Sequence, residues 1–238
     1  MTTALFPALY YRLHRQVQGR RGDFHLYDPD GQVAAFTRHN VGYLHDDIYL
    51  WDSDRQDETQ AQVKLTLRAH TTPGIYPTYG VFDPRQPGQT VGRLQRLPWR
   101  WPPYDTWQVN GADERPLGYL HEAGLFQAGL RLLFWGGVIP QRYELRAAPP
   151  GSVGPSANTP PLLARYNQSV NIFQYSLAVH FSQEQAGGLD HRLGIAAAFL
   201  LAIGEGFYVY RPFQKPHQPE PAHPHSRVDN PATLQEQR

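Results

Sequence analysis

The sequence contains no cysteine among its 238 residues. That absence excludes disulfide bonds, thiolate metal sites, cysteine nucleophiles and palmitoylation, and it fits a reducing compartment. Lysine occurs only twice, at Lys64 and Lys215, so arginine carries almost all of the positive charge. The first residues show no basic segment followed by a long apolar one, so no signal peptide is predicted and we expect a cytoplasmic protein.

An excess of charge of one sign is also missing. The chain has 22 basic and 21 acidic residues, a formal net charge of +1. The C-terminal residues 211–238 hold four of the basic and three of the acidic side chains, so the rest of the chain is close to neutral. Bulk charge therefore gives no argument for a nucleic acid or an anionic membrane as the partner.

No motif of a known enzyme class is present: there is no GxSxG elbow, Walker loop, GxGxxG after a strand or HExxH. His45 beside Asp46, and His121 beside Glu122, could suggest acid–base pairs. Neighbours on a strand point to opposite faces, however, so they make poor partners. We therefore predict no enzymatic activity and no cofactor, with a hydrolase of unrecognised site as a distant alternative.

Metal-binding patterns are equally weak. Asp52, Asp54, Asp57 and Glu58 cluster within one short stretch, but an EF-hand loop starting at Asp52 would need Gly at its sixth position and Glu at its twelfth. Those positions hold Asp57 and Val63. We interpret the cluster as a solvated hairpin tip. Three histidines near the C-terminus are expected in solvent, so no metal site is predicted; they are His217, His223 and His225.

The sequence is rich in aromatic residues (13%) and also contains 22 prolines and 21 glycines. Many aromatics between turn formers favour β-structure. The segment FHLYDPDGQVAAFTR, residues 24–38, predicts a hairpin in which Asp28 bonds the turn backbone and Gly31 takes a positive φ. About a dozen such alternating runs follow one another at short spacing, which is typical of an antiparallel sandwich or barrel.

Two hairpin units share a plan. Residues 79–96 and 105–124 each have an alternating strand, a polar turn and a return strand that opens on an apolar residue and glycine. The pairs are Val91-Gly92 and Leu117-Gly118. An internal repeat and convergent hairpin chemistry both explain the pattern.

The most apolar stretch is LDHRLGIAAAFLLAIGEG, residues 189–206. Its charge-free part, 193–203, would span about 16 Å as a helix, whereas a bilayer core is about 30 Å thick. The pattern is apolar on every side, so the helix also lacks the polar face of an interfacial helix. We predict a helix over 189–204 that is enclosed by the preceding strands, with Asp190 at its start and Gly204 at its end.

These features resemble the tubby C-terminal-like superfamily, which includes phospholipid scramblases and LURP-one-related proteins. Three stretches carry the resemblance: the 24–38 hairpin, the VGRLQR…YDTWQVNGADERPLGYLHEAG unit, and NIFQYSLAVHF followed by the apolar helix. The resemblance covers about residues 9–206. It implies a closed antiparallel β-barrel of about 12 strands around a central hydrophobic C-terminal helix. Residues 1–8 would then be an N-terminal extension and 207–238 a disordered, Pro-rich tail.

The resemblance implies little chemistry. Tubby-like members bind phosphoinositide headgroups, and scramblases act at membranes and bind calcium. This chain lacks a cysteine cluster for acylation, an extended membrane-spanning helix and a clear calcium loop, which argues against lipid scrambling. The resemblance therefore implies a non-catalytic binding module for anionic phospholipid headgroups or a protein partner at the membrane surface. The alternative is a structural or regulatory scaffold without a small-ligand site.

The predicted ligand site lies in GRLQRLPWRWPPYDTW, residues 92–107, where arginine and tryptophan alternate. Arginine forks suit phosphate and tryptophan suits a membrane interface, so the candidate residues are Arg93, Arg96, Arg100, Trp99 and Trp101. The same composition could stack single-stranded nucleic acid, which the neutral chain makes the weaker hypothesis. A proline-braced loop that packs its aromatics on the barrel is the third interpretation. No oligomeric state is predicted.

Overall fold

The structure is a computed structural model that describes residues 5–18, 21–41, 44–53, 62–70, 76–98, 106–123, 140–148, 160–169, 175–183 and 189–204. Within these ranges the chain forms twelve strands and one helix. The strands are β1 (Tyr10–Gln18), β2 (Arg21–Tyr27), β3 (Val33–Asn40), β4 (Ile48–Trp51), β5 (Val63–Ala69), β6 (Thr78–Phe82), β7 (Thr90–Arg96), β8 (Thr106–Gly111), β9 (Pro116–Glu122), β10 (Arg142–Ala147), β11 (Leu162–Gln168) and β12 (Tyr175–Phe181). The helix is α1 (His191–Gly204).

The twelve strands form one closed barrel. Each strand pairs antiparallel with the strands before and after it in sequence, and β1 closes the barrel by pairing with β12. The closing register joins Leu13 to Leu177 and Tyr11 to Val179. The predicted fold class, a mainly β closed antiparallel barrel with one C-terminal helix, is confirmed.

The helix α1 is buried on all sides. Every residue from Leu193 to Ile203 is buried, and Phe199 is completely so. It packs against β1, β6, β7 and β12. Because this helix has no polar face, enclosure by the barrel is the arrangement that removes all of its apolar surface from water.

The capping residue and the C-terminal end of α1 are as predicted, and the start differs by two residues. Asp190 caps the first turn, where its Oδ1 accepts a hydrogen bond from the backbone N–H of Arg192 at 2.9 Å. The helix begins at His191, two residues after the predicted start, and ends at Gly204 as predicted.

The strands alternate as the sequence predicts. On β12, Leu177 and Val179 are fully buried, while Ala178 is half-buried and His180 is exposed. The hairpin between β2 and β3 also has the predicted turn, because Asp28 Oδ1 accepts hydrogen bonds from the N–H groups of Asp30 and Gln32 and Gly31 has φ 76°. Alternation and turn chemistry together therefore decide which side chains face outwards.

Arg15 breaks the apolar face of β1, and the structure explains why. The side chain is 9% exposed, and its Nη1 donates a hydrogen bond of 3.0 Å to the carbonyl oxygen of Ala202 in the last turn of α1. Its guanidinium carbon lies 4.5 Å from the ring centroid of Tyr175. Because the last carbonyls of a helix have no partner within the helix, a buried cation there satisfies both hydrogen bonding and the helix dipole.

An ion-pair network holds the other end of α1. The Asp83 carboxylate, directly after β6, is fully buried and accepts hydrogen bonds from Arg85 at 2.7 Å and Arg192 at 2.9 Å. The hydrogen bond from Arg85 is the largest cause that lowers the pKa of Asp83, to about 2. This carboxylate therefore ties the start of the helix to the turn between β6 and β7.

Glycine is required where Val91-Gly92 and Leu117-Gly118 open their strands. A Cβ atom on Gly92, which has φ 155°, would collide with the carbonyl oxygen of Asn110 on β8. A Cβ on Gly118 would collide with the carbonyl oxygen of Arg146 on β10. Close approach of the neighbouring strand thus requires glycine at the same place in both hairpins.

Some predictions concern residues outside the described ranges. The strand-like run at 130–135, most of the acidic cluster at 52–58 and the Pro-rich tail at 207–238 lie outside the described residues. In the predicted N-terminal extension, Phe6 is 2% exposed and packs edge-on against Tyr11. Within the ranges the structure covers, no helix is long and apolar enough to cross a membrane.

Candidate functional site

A ligand can bind to the outer surface of the barrel. Each of the twelve strands contributes to the hydrophobic core that surrounds α1, so the inward side chains are committed to packing. The outward side chains remain available, and the distribution of charge among them differs from one side of the barrel to the other.

The residues that the sequence predicted as a ligand site are only partly described. Trp99, Arg100 and Trp101 lie outside the described residues. Arg93 points outwards from β7 and forms an ion pair of 2.8 Å with Glu114, both side chains being well exposed. Arg96 stands opposite Trp107, whose side chain lies in the core, so Arg96 is on the inward-facing side of the same strand.

Arg93 and Arg96 are therefore not brought together. Their spacing of three residues places them on opposite faces of β7. A ligand on the outer surface can meet Arg93 only, and there it competes with Glu114. The prediction for the remaining three residues stays a prediction.

A different group of cations meets on the outer surface of β10, β11, β12 and β1, which we call the basic face. Its outward charged residues are four arginines and one glutamate: Arg12, Arg142, Arg146, Arg165 and Glu144. With histidine neutral, these described residues carry a net charge of +3. The bulk neutrality of the chain hides this local excess.

The register of five strands aligns one row across the basic face. His121 on β9 stands opposite Glu144 on β10, Glu144 opposite Arg165 on β11, Arg165 opposite His180 on β12, and His180 opposite Tyr10 on β1. With about 4.8 Å between neighbouring strands, the row is about 19 Å long. The row depends on the closing pair of the barrel, since Tyr10 and His180 are at opposite ends of the sequence.

Glu144 is the acidic member of the row and is neutralised within it. It accepts hydrogen bonds from Arg146 at 2.5 Å and from Arg165 at 3.3 Å, and its side chain is 15% exposed. Burial acts to raise the pKa of Glu144, but the hydrogen bonds and charges of the two arginines outweigh it, and the pKa is lowered. The carboxylate therefore stays ionised and orients two guanidinium groups on the surface.

Arg12 and Arg142 are the available cations of the basic face. Both are exposed, and neither forms an ion pair with any residue that the structure describes. The Nε of Arg12 donates to the hydroxyl of Tyr10 at 3.1 Å, and the Tyr10 ring lies 4.7 Å from that of His180. Arg12 is thus held over an aromatic ring with its other guanidinium N–H groups open to an anion.

A second outward feature lies on another side of the barrel. A chain of ring contacts crosses β2, β3 and β4 through His25, Tyr27, Phe36, Trp51 and Tyr49. His25 and Phe36 are less than 9% exposed, whereas Tyr49 is 42% exposed. Two of the five rings are buried and two are half-buried, so the ring contacts stabilise the outer side of these strands.

The chemistry of the basic face suits oxyanions. Guanidinium groups supply paired N–H donors and a permanent positive charge, which match carboxylate and phosphate. Among the described residues, no group of three His, Asp or Glu side chains is placed to hold a metal ion. His121 and Glu122 point to opposite faces of β9, since Leu120 and Glu122 lie on the inward side and His121 on the outer side.

The sequence reasoning missed the basic face because its arginines are scattered. Each of the segments YYRLHRQ, RYELRA and LLARYNQ has arginine at an outward position of an alternating strand. This pattern of outward arginines is the signal of the basic face in the sequence. Any strand face that is exposed to solvent can show the same pattern. Only the order of strands in the barrel joins the three segments.

Compared with known proteins, the chain matches no family model and no curated protein sequence. The resemblance to the tubby C-terminal-like superfamily therefore stays a prediction.

Proposed function

We propose that this protein is a non-catalytic binding module that attaches to anionic phospholipid headgroups at a membrane surface through its basic face. The observation that carries the proposal is the outward projection of Arg142, Arg165 and Arg12 from β10, β11 and β1, which with β12 are four successive strands of one closed barrel. The barrel fixes the spacing of the strands that carry these arginines, so no backbone has to be ordered when they meet an anionic surface.

Two further properties support this proposal. Near an anionic leaflet each arginine contributes about 1 kcal/mol of attraction, so three give about 3 kcal/mol. Tyr10, which lies between Arg12 and His180, is a residue type that favours the headgroup level of a bilayer. Attachment of this kind weakens with salt, because exposed charges are screened beyond about 10 Å at 0.1 M ionic strength.

Vesicle flotation tests the proposal. The purified chain is mixed with phosphatidylcholine vesicles with or without phosphatidylserine, and the floating fraction is measured against lipid concentration. We expect binding to the anionic vesicles, and the triple variant Arg12→Gln, Arg142→Gln, Arg165→Gln should weaken it about 100-fold if three contributions of about 1 kcal/mol are lost.

A matched control removes the same charge elsewhere. Arg21, Arg68 and Arg115 are exposed arginines away from the basic face, and their triple Gln variant should bind like the wild type. A third variant, with Arg93, Arg96 and Arg100 changed to Gln, tests the site predicted from sequence. Loss of binding only in that third variant would place the headgroup site there instead. Absence of wild-type binding would favour a protein partner or the scaffold alternative.

A further inference from the structure

Ala178 on β12, whose side chain is a single methyl group, lies within the basic face, and we call it the floor of that face. This residue points outwards between Leu177 and Val179, which are fully buried. In register, Ala178 stands opposite Arg12 on β1 and opposite Asn167 on β11. The methyl group of Ala178 is smaller than the side chains of Arg12 and Asn167 on either side, so it fills less of the surface above the strand than a bulkier residue would.

Hydrogen-bond donors surround this floor. Along β12, His180 and Ser176 lie two residues away on the same face, which is about 7 Å. Arg165 stands opposite His180 and is therefore diagonal to Ala178, at about 7–8 Å in a strand pair. The residues opposite, diagonal to and along the strand from Ala178 carry guanidinium, amide, imidazole and hydroxyl groups, and none of them carries a carboxylate. Arg165 also donates a hydrogen bond of 3.3 Å to Glu144 on its other side. The nearest described carboxylate in the row, Glu144, lies on the far side of Arg165.

We infer that Ala178, Arg12, Arg165 and His180 form a discrete subsite for one tetrahedral oxyanion, such as a headgroup phosphate, which binds more tightly when His180 is protonated. This inference rests on the proposed function, because it assigns a specific location and a pH response to the same face.

The surroundings of His180 explain the pH response. Burial, followed by the charge of Arg165, lowers the pKa of His180. The titratable and charged groups that face it are Tyr10 and Arg12 from β1 and Arg165 from β11, and its own strand adds only Ser176 and Ala178 on this face. The imidazole is therefore neutral at neutral pH, and an oxyanion on the floor favours the protonated form. Binding and protonation must then strengthen one another.

His14 is a second histidine near this face. Its pKa is lowered by burial and by the charges of Arg12 and His25. Its ring packs edge-on against Tyr27 at 5.5 Å, on the side of β2, so it faces away from the floor. We assign the pH response to His180 alone.

The test compares two single substitutions with matched controls. Ala178→Phe covers the floor with a bulky ring without changing any charge, and Gln95→Phe introduces the same outward ring on β7, far from the basic face. His180→Gln removes the imidazole, and His70→Gln does so at an exposed site elsewhere. Flotation with phosphatidylserine-containing vesicles is measured at about pH 7.5 and about pH 5.5, on either side of the ordinary histidine pKa.

We expect the wild type to bind more tightly at the lower pH. Ala178→Phe should weaken binding at least about fivefold at both pH values, and His180→Gln should remove about fivefold of the gain at low pH, the effect of one charge near an anionic surface. Both controls should match the wild type. Equal binding by Ala178→Phe and the wild type would overturn the subsite while leaving the proposed function in place, and so would a full pH response in His180→Gln.

A second arm separates the possible sources of the oxyanion. Sulfate keeps its charge between the two pH values, and its effect on the imidazole signal of His180 is followed by NMR in the wild type and in Ala178→Phe. A shift in the wild type only, without vesicle binding, would retain the subsite for a free oxyanion and reject the membrane function. Vesicle binding that is sensitive to Ala178→Phe, without a sulfate shift, would assign the subsite to headgroups. No response in either arm would refute both.

Discussion

The buried Arg15 allows a sharp prediction about what stabilises the barrel. Replacing Arg15 with Met keeps most of the apolar stem but removes the hydrogen bond of 3.0 Å to Ala202 and the contact of 4.5 Å with the Tyr175 ring. A hydrogen bond to a charged group contributes about 1.5–3 kcal/mol, and a desolvated cation–π contact adds about 2 kcal/mol. Arg15→Met also removes the cost of burying a charged guanidinium, which offsets part of this sum. We therefore expect the free energy of unfolding to fall by about 2 kcal/mol.

The assay is urea unfolding of Arg15→Met followed by circular dichroism, with Arg12→Met as the control on the same strand. We expect a lower midpoint with an unchanged slope for Arg15→Met. The control removes an exposed arginine of β1 and should change the free energy of unfolding by less than about 0.5 kcal/mol. Equal stability of Arg15→Met and the wild type would refute the idea that this cation completes the end of α1.

Two more substitutions test the interior. Because folding lowers the pKa of Asp83 to about 2, its carboxylate stabilises the fold at neutral pH by about 2 kcal/mol, and this stability is lost as the pH falls from about 4 to about 2. Asp83→Asn should therefore unfold more easily than the wild type in urea at pH 7, and the gap should shrink in acid; a gap that stays constant would contradict this. Leu200, at 1% exposure, lies in the middle of α1, so Leu200→Asp should prevent folding, whereas Tyr49→Asp on the outer surface should not. A soluble Leu200→Asp variant with the wild-type circular dichroism spectrum would count against an enclosed helix.

The sequence was sufficient to predict the barrel and its helix because both follow from local patterns. The stretch from Leu193 to Ile203 is apolar on every side, and no arrangement except enclosure hides such a helix from water. Period-two alternation in the sequence of β12 matches its alternation of buried and outward residues, and the turn from Asp28 to Gly31 follows from turn chemistry. These features depend on residues within one element or one hairpin.

Interactions between distant elements were beyond that reasoning. In the sequence Arg15 is only a charged residue on the apolar face of β1, because its partner, Ala202, is 187 residues away in the chain. Asp83 likewise meets Arg192 across 109 residues. The role of a charged residue at an inward position becomes clear only when its bonding partner at the end of the helix is known.

The candidate site shows the same limit. The search for a contiguous basic and aromatic segment led to residues 92–107, where Arg93 and Arg96 face opposite sides of β7. The basic face instead collects one or two arginines from each of three strands, and it exists because the barrel closes β1 onto β12. Strand order, rather than local composition, decides which cations meet.

The most direct test of the central claim is flotation of the Arg12→Gln, Arg142→Gln, Arg165→Gln variant beside the matched triple variant of Arg21, Arg68 and Arg115. We expect the wild type and the matched variant to float with phosphatidylserine-containing vesicles at low salt, and the basic-face variant to stay in the soluble fraction. If the two triple variants bind equally well, the basic face is not the membrane-binding surface.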